Sequence, residues 1–321
     1  MSRARLAVLG LVALAFAGLI FVWSLLGSAS VTKDTSFTIP AGASVSAVAD
    51  KLEAEGLITS ASGFVLQARI FGSDAPIQAG EFLLTSGMSQ NEILKAFQSG
   101  DVIRRFVTIP EGMPSILVWE RLMAEELLTG EVPVPPEGSI LPDTYAFERG
   151  EARSAVVERM QAAMDRTLAE EWGKRGRDIA VDTMRDALIL ASIVEKETGK
   201  PEERRMVAGL YSNRVKSGML LQADPTIIYP ITKGKPLGRR IRQSEIAAVN
   251  GYNTYTRVGL PEGPITNPGR ESIAAVLNPA KTSALFMVAD GTGGHWFADT
   301  LAEHNANVAK WYAIRKERGE M

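Results

Sequence analysis

The chain has 321 residues, which suggests about two domains besides any N-terminal segment. Its net charge of −2 gives no argument for nucleic acid as a partner, and the absence of cysteine excludes disulfides and thiolate metal sites. Only two histidines are present, His295 and His304, which leaves little room for a zinc enzyme or a Ser-His-Asp triad. We therefore expect structural roles for both histidines and no metal or cofactor.

The N-terminus carries one long apolar run, Leu6–Leu26. Its length spans a bilayer core as a helix, and Arg3 and Arg5 precede it, so the positive-inside rule places residues 1–5 in the cytoplasm. We expect an uncleaved single-pass anchor in the bacterial cytoplasmic (inner) membrane and a linker over 27–36, with the rest of the chain outside the cytoplasm. A cleaved signal peptide is the competing interpretation, because small residues follow the run.

Two segments of similar sequence lie beyond this linker. Phe37–Gly42 reads F-T-I-P-A-G, and Val107–Gly112 reads V-T-I-P-E-G. Each is typical of a strand that runs into a turn, and a helical pattern follows each, the second over about Ile116–Leu128. Chance similarity of a common turn is the alternative, which the matching helices disfavour. We therefore expect two strand–turn–helix units.

Helices alternate with irregular segments in the remainder of the chain. We expect helices over about 152–172, 187–199, 201–218 and 271–277, then a hairpin of strands 285–290 and 295–298, and a C-terminal helix. Residues 221–269 lack regular periodicity but are rich in Tyr, Asn, Thr, Gln and Gly. Such a composition suits a sugar-binding cleft, and it equally suits a well-packed loop.

The main candidate for catalysis lies at the end of the predicted helix Ala187–Gly199. This helix is apolar on nearly every side before it delivers Glu195, Lys196 and Glu197. Burial and the helix macrodipole both favour the protonated form of a carboxyl there. Glu197 continues a stripe of aliphatic residues, whereas Glu195 points roughly 200° away around the helix, so Glu197 is the better candidate for a raised pKa. The spacing is about equally compatible with an ordinary solvated helix end, at which neither carboxyl has a catalytic role.

Several motifs in order resemble the YceG-like family of bacterial endolytic murein transglycosylases. They are A-S-I-V-E-K-E-T from Ala191, L-Q-A-D-P-T from Leu221, Y-N-T-Y-T from Tyr252, G-L-P-E-G-P-I-T-N-P-G from Gly259 and V-A-D-G-T-G-G-H-W-F from Val288. The resemblance implies an α+β fold: one N-terminal transmembrane helix, a small LysM-like α/β domain over 37–104, and an α+β YceG-like catalytic domain over 105–321.

The resemblance also implies an activity. The family's acid is the second Glu of its E-K-E-T, which corresponds to Glu197. It implies non-hydrolytic cleavage of the β-1,4 bond between N-acetylmuramic acid and N-acetylglucosamine, which leaves a 1,6-anhydro end and terminates nascent glycan strands. The expected partners are peptidoglycan glycan strands, the cytoplasmic membrane and peptidoglycan synthases. The candidates for holding the sugars are Glu195, Gln222, Asp224, Tyr252, Asn253 and Tyr255.

Two other functions stay open. One is a muramidase that uses water, with Asp224 as the second carboxylate. The other is a non-catalytic wall-binding scaffold that recruits other enzymes through its LysM-like unit. The mass of the released fragments separates these functions, because a hydrolysed end is heavier than an anhydro end by one water.

Overall fold

The computed structural model describes residues 12, 14–16, 18, 31–73 and 75–320. Their contacts divide the chain into two units, one holding the residues through Arg105 together with Phe147–Arg149, and the other holding Phe106–Ala146 and the chain from Gly150 onward. No helix within these described ranges is long and apolar enough to cross a membrane. The predicted anchor over 6–26 lies outside them, apart from five positions.

The first unit is a two-stranded antiparallel sheet covered by three helices. Phe37 of one strand lies opposite Phe82 of the other, and both rings pack against Phe97. Its elements are β1 (Thr35–Ile39), α1 (Val45–Ala54), α2 (Ala61–Phe71), β2 (Gly80–Leu84) and α3 (Gln90–Ser99). The assignment of this unit as LysM-like stays a prediction.

One buried carboxylate connects distant parts of the first unit. Glu81 is only 4% exposed, and it lies 2.7 Å from Arg105 Nη2 and 3.0 Å from Arg149 Nε. Ser36 donates a further hydrogen bond to it. The pairing with Arg149 is one contact that joins the segment Phe147–Arg149, remote in sequence, to this unit.

The second unit is mainly helical. Its elements are β3 (Arg105–Thr108, whose first residue belongs to the first unit), α4 (Ser115–Met123), β4 (Thr144–Phe147, whose last residue belongs to the first unit), α5 (Arg153–Gly173), α6 (Met184–Glu197), a 3₁₀ turn (Pro201–Glu203), α7 (Arg204–Lys216), α8 (Asp224–Thr232), α9 (Gln243–Ile246), α10 (Arg270–Leu277), β5 (Phe286–Ala289), β6 (His295–Ala298) and α11 (Leu301–Glu317). β3 pairs with β4, and β5 and β6 form the expected antiparallel hairpin. The α+β class is thereby confirmed.

Helix α6 is the centre of the second unit. Every residue from Ile189 to Val194 is buried, and the helix packs against α5, α7, α8 and α10. Burying aliphatic side chains on nearly all sides removes apolar area from water, which is the dominant favourable term in folding. The end of this helix is therefore held rigidly, and whatever side chain it carries is positioned by the core.

Two expectations about helix bounds need correction. Helix α4 ends at Met123 rather than near residue 128, and α6 ends at Glu197 rather than at Gly199. In α6 the reason is Thr198, whose φ of −139° and ψ of 131° are extended. Glu197 is consequently the last helical residue.

Candidate active site

A cavity of about 380 Å³ opens at the C-terminal end of α6. Its walls come from α6, α7, the residues around the start of α8, the loop before α10 and strand β5. Polar groups dominate the wall near Glu197, and Leu210, Pro225 and Met287 supply apolar area. The lining residues are Lys196, Glu197, Leu210, Tyr211, Arg214, Gln222, Asp224, Pro225, Tyr255 and Met287.

Glu197 is the most perturbed carboxyl of this cavity. Its Oε1 is shielded from solvent and has no hydrogen-bond partner among the described residues. Burial, with the negative charge of Asp224 added, raises its pKa to about 7 from the ordinary 4.5, although the Tyr211 hydroxyl and the charge of Arg214 act in the opposite direction. A carboxyl that titrates near neutral pH can both donate and accept a proton, as general acid–base catalysis requires.

Helix α7 contributes two residues that the sequence did not single out as functional. Tyr211 and Arg214 line the cavity one turn apart, and Tyr211 is 2% exposed. Three carbonyls hold the guanidinium: Arg214 Nε donates to Leu285 O at 2.7 Å, and Nη1 donates to Leu221 O at 2.7 Å and to Leu220 O at 3.2 Å. A signal for Arg214 existed, because a charged residue one turn from Tyr211 interrupts the apolar face of this helix.

The predicted residues Gln222, Asp224 and Tyr255 lie together on the cavity wall. Tyr255 donates a hydrogen bond of 2.6 Å to Asp224 Oδ1. Gln222 has a φ of +53°, the left-handed region that non-glycine residues seldom adopt, and its N–H donates to Thr254 O at 3.1 Å. These three residues therefore surround the space in front of Glu197, and their sugar-binding roles stay a prediction.

A buried threonine pair fixes the two segments that carry these residues. The hydroxyls of Thr226 and Thr254 are 2.8 Å apart, and neither residue is exposed. Thr254 Oγ1 also accepts from Ala223 N at 3.1 Å, and Thr254 N donates to Thr226 Oγ1 at 3.2 Å. Because these bonds are shielded from water, they hold the start of α8 against the loop.

The structure does not bring Asn253 or Tyr252 to this cavity. Asn253 is fully buried, and its Nδ2 donates to the carbonyls of Glu245, Ile246 and Ala248 at 3.2, 2.9 and 2.7 Å. This side chain organises the loop rather than facing a ligand, which departs from the predicted sugar contact. Tyr252 packs on Tyr229 with 4.8 Å between ring centroids.

Glu195 also faces another part of the unit. Its Oε2 accepts a hydrogen bond of 2.9 Å from Gly269 N, and its Cγ lies beside Gly112. The same two segments are joined by Thr266 Oγ1, which donates to Gly112 O at 2.6 Å. Glu195 thus anchors the turn that follows β3, and it does not line the cavity of Glu197.

A second perturbed carboxyl lies apart from the cavity. Burial raises the pKa of Glu137 to about 7, against the opposing effect of its hydrogen bonds. Its Oε1 accepts from Ser115 N at 2.9 Å, at the start of α4. Because its oxygen is occupied by a helix terminus, a positioning role fits Glu137 better than chemistry.

Neither histidine belongs to a metal site. His295 Nδ1 lies 2.8 Å from Glu203 Oε2, and the His304 ring stacks on Phe286 at 5.3 Å. Within the part of the chain that the structure describes, no group of three or more His, Asp or Glu side chains is placed to hold a metal ion.

Comparison with known proteins gives one consistent result. The chain matches the YceG-like family over residues 37–310. A protein of Bacillus subtilis (strain 168) named endolytic murein transglycosylase is 27% identical, over 90% of this chain and 89% of the relative. One of the same name from Streptococcus pneumoniae serotype 2 (strain D39 / NCTC 7466) is 28% identical over 88% of this chain, and the chain spans 59% of that relative's length.

A solved structure agrees with these matches. The crystal structure of a yceG-like protein from Listeria monocytogenes is 27% identical and has a TM-score of 0.52, with 86% of this chain and 99% of that chain covered. The resemblance read from the motifs is confirmed. Since the family match covers far more than half of the residues, the chain belongs to the YceG-like family.

Proposed function

We propose that this protein is an endolytic peptidoglycan lytic transglycosylase with Glu197 as its only catalytic carboxyl. The observation that carries the proposal is the Glu197 carboxyl, which lines a polar cavity and has a pKa of about 7. One of its oxygens is shielded and has no hydrogen-bond partner among the described residues. The names of the Bacillus subtilis and Streptococcus pneumoniae relatives support the same activity. The substrate is the glycan strand of peptidoglycan, and the product ends are 1,6-anhydro-N-acetylmuramic acid.

In the first step Glu197 donates its proton to the glycosidic oxygen that leaves with N-acetylglucosamine. The bond between that oxygen and C1 of N-acetylmuramic acid breaks, and the substrate's own 2-acetamido group stabilises the oxocarbenium-like centre. In the second step the Glu197 carboxylate takes the proton of the C6 hydroxyl while that oxygen bonds to C1. The carboxyl is regenerated and no water is consumed, so a single acid is sufficient.

Other groups of the cavity have supporting roles in this mechanism. Asp224 keeps the pKa of Glu197 high through its charge, and Tyr255 fixes the Asp224 carboxylate. Gln222 and Asp224 offer polar groups to sugar hydroxyls. Arg214, held by three carbonyls, moderates the pKa of Glu197 so that the carboxylate form stays accessible for the second step.

A hydrolytic muramidase is the second candidate, because Asp224 lies on the same cavity wall as Glu197. An inverting or retaining glycosidase needs a second carboxylate as base or nucleophile. The strong hydrogen bond from Tyr255 lowers the availability of Asp224 for that role, so we favour the single-acid mechanism.

The membrane arrangement belongs to the same proposal. We propose that residues 6–26 anchor the chain in the cytoplasmic membrane and that both units lie outside the cytoplasm, where peptidoglycan strands and their synthases are found. A reporter enzyme that is active only outside the cytoplasm, fused after Met321, should be active. Recovery of a shortened chain that begins near residue 30 and is free of membrane would contradict the anchor.

Glu197→Gln and Glu195→Gln form a matched pair for testing the catalytic assignment. Both remove one carboxylate from the same helix end, but only Glu197 faces the cavity. Glu197→Gln should lower the rate of anhydro-end formation by about 10²–10⁴-fold, since the amide cannot donate an acidic proton. Glu195→Gln should have a milder effect. Mass spectrometry of the products from purified peptidoglycan, with thermal melts as a folding control, measures both variants.

The opposite order of effects would reverse the assignment of the acid. Normal activity in both variants would place the catalytic group elsewhere. If the wild-type chain releases only fragments with reducing ends, it is a muramidase. If it releases no fragments, the scaffold function is supported.

A further inference from the structure

We propose that a second cavity beside the first holds the peptide stem that N-acetylmuramic acid carries, an inference that rests on the proposed function. This stem cavity has a volume of about 520 Å³ and lies between the turn after β3, helix α8 and the segment that follows α8. Its lining residues are Pro110, Glu111, Gly112, Met113, Pro114, Leu117, Lys196, Pro225, Ile228, Gly234, Lys235, Pro236, Leu237 and Ile265.

The two cavities are neighbours that share a wall. Lys196 and Pro225 line both of them. Glu197 follows Lys196 directly in the chain, and Asp224 directly precedes Pro225. The stem cavity therefore lies next to the two carboxylates of the catalytic cavity. A substituent that projects sideways from a sugar held at Glu197 would enter it.

The chemistry of the two linings differs. The catalytic cavity presents two tyrosines, a glutamine, an arginine and two carboxylates, which suit sugar hydroxyls and ring faces. Among the described residues that line the stem cavity none is aromatic, and most are proline, leucine, isoleucine or methionine. Sugars bind poorly to such a surface because their hydroxyls would lose hydrogen bonds to water. The methyl groups of a lactyl ether and of alanine residues fit it well.

Lys196 offers a cation for the acidic groups of a stem. Lys235 pairs with Glu120, and Glu111 pairs with Arg204. Lys196 is exposed and forms no ion pair within the described ranges; its Nζ reaches only the carbonyl of Gly112, at 3.4 Å. It stands at the boundary of the two cavities, where a free carboxylate near the beginning of the stem would pass.

The walls of the stem cavity are preformed. Gly234 has a φ of +85°, and a Cβ added there would lie 2.6 Å from Pro114 Cβ, so the segment after α8 approaches the start of α4 as closely as glycine permits. On the other side, Gly112 N donates to Asn267 O at 3.0 Å, which fixes the turn after β3. Binding of a ligand therefore does not require these walls to become ordered, which would cost binding free energy.

Two isoleucines of α8 give a matched pair for the test. Ile228 lines the stem cavity, whereas Ile231 is 47% exposed and does not line it. We would compare Ile228→Trp and Ile231→Trp in the full chain, with Leu237→Trp filling the cavity from the segment after α8. The two substrates are solubilised glycan strands with intact stems and the same strands stripped of stems by an amidase. The measured quantity is the ratio of kcat/KM for the two substrates.

The wild-type chain should prefer strands with stems. Both cavity-filling variants should reduce this preference about tenfold, which corresponds to losing the burial of one or two methyl-sized groups. Ile231→Trp should leave the ratio at its wild-type value. Binding of an N-acetylmuramyl peptide to the wild-type chain, compared with N-acetylmuramic acid alone, checks the same point without any variant and should favour the peptide.

Equal cleavage of both substrates by the wild-type chain would overturn the inference and leave the proposed function intact. So would an unchanged ratio in folded Ile228→Trp and Leu237→Trp variants. Failure of the wild-type chain to form anhydro ends on either substrate would instead overturn the proposed function, and the inference with it.

Discussion

A single carboxyl performs the proposed chemistry, and its neighbours determine its pKa. Glu197 is the last residue of a buried helix, so its pKa is raised by burial and by Asp224. Because the acid must be protonated at the start of the reaction, kcat/KM should fall as the pH rises through about 7. Glu197 sets only this alkaline side of the profile, because the first step itself generates the carboxylate that accepts a proton in the second step.

Asp224→Asn tests this electrostatic coupling. Removing the charge of Asp224 should lower the pKa of Glu197, so the alkaline limb of the kcat/KM profile should move to lower pH. Asp165→Asn, an exposed position on α5 outside the cavity, is the charge control and should leave the limb unchanged. Complete loss of activity in Asp224→Asn at every pH would support the muramidase mechanism instead.

Sequence reasoning reached Glu197 because α6 is regular. A helix has a fixed angle between successive residues, so the aliphatic stripe below Glu197 could be followed to the helix end. Arg214 was missed because charged residues are usually exposed. Its place on the apolar face of the helix does not reveal that carbonyls of the following turn and of the distant Leu285 accept its hydrogen bonds.

The irregular segment between α7 and α10 shows how little composition says about individual side chains. Gln222 and Tyr255 face the cavity, whereas Asn253, two residues from Tyr255, is buried in the loop. Without a repeating backbone, no period assigns neighbouring residues to one face or the other. The short helix α8 inside this segment escaped prediction because Pro225 and Pro230 break the usual helical pattern.

Asn253→Ala tests the structural role of that loop residue. Three carbonyls would lose their donor in a buried place, so the free energy of unfolding should fall by about 2–4 kcal/mol. The matched control is Asn250→Ala, because Asn250 is exposed and accepts from Tyr252 N and Asn253 N; its effect should be well below that of Asn253→Ala. Chemical denaturation measures both. Unchanged stability with weakened glycan binding in Asn253→Ala would restore the sugar-contact role.

The elements that repeat in sequence also repeat in structure. β1 leads through a turn into α1, and β3 leads through a similar turn into α4. Gly42 and Gly112 occupy the same place in the two turns with φ of +77° and +70°, where glycine avoids the strain that a Cβ would bring. In the second copy this turn also contacts Glu195, one residue before Lys196. The strand–turn–helix motif could therefore be predicted from the local sequence. Its contact with the end of α6 could not, because the residues in contact are distant in sequence.

At the scale of the whole molecule, a buried carboxyl of the first unit and two carboxyls of the second unit should respond to pH in opposite directions. In the first unit, burial alone would raise the pKa of Glu81, but hydrogen bonds from Ser36, Arg149 and Arg105 outweigh it and lower the pKa. The stabilisation is present above the unfolded pKa of 4.5 and is lost as the pH falls. In the second unit the pKa values of Glu137 and Glu197 are raised, so their contribution is present below 4.5 and is lost as the pH rises through about 7.

Hydrogen exchange resolved by unit measures this difference. Between about pH 5 and pH 8, the opening free energy of the second unit should fall by about 1–3 kcal/mol for each of Glu137 and Glu197, after correction for intrinsic exchange rates. The opening free energy of the first unit should not fall over this pH range. Glu197→Gln together with Glu137→Gln should remove most of the fall in the second unit, because neither amide titrates. A parallel change in both units would contradict the assignment.

The central claim is that one carboxyl cuts the glycan without water. The most direct test incubates the wild-type chain with purified peptidoglycan in water enriched in heavy oxygen and determines the mass of the new muramic acid ends. The account predicts anhydro ends that carry no heavy oxygen, and none of them in Glu197→Gln. Reducing ends that contain one heavy oxygen would contradict it, because they would show that water had attacked C1.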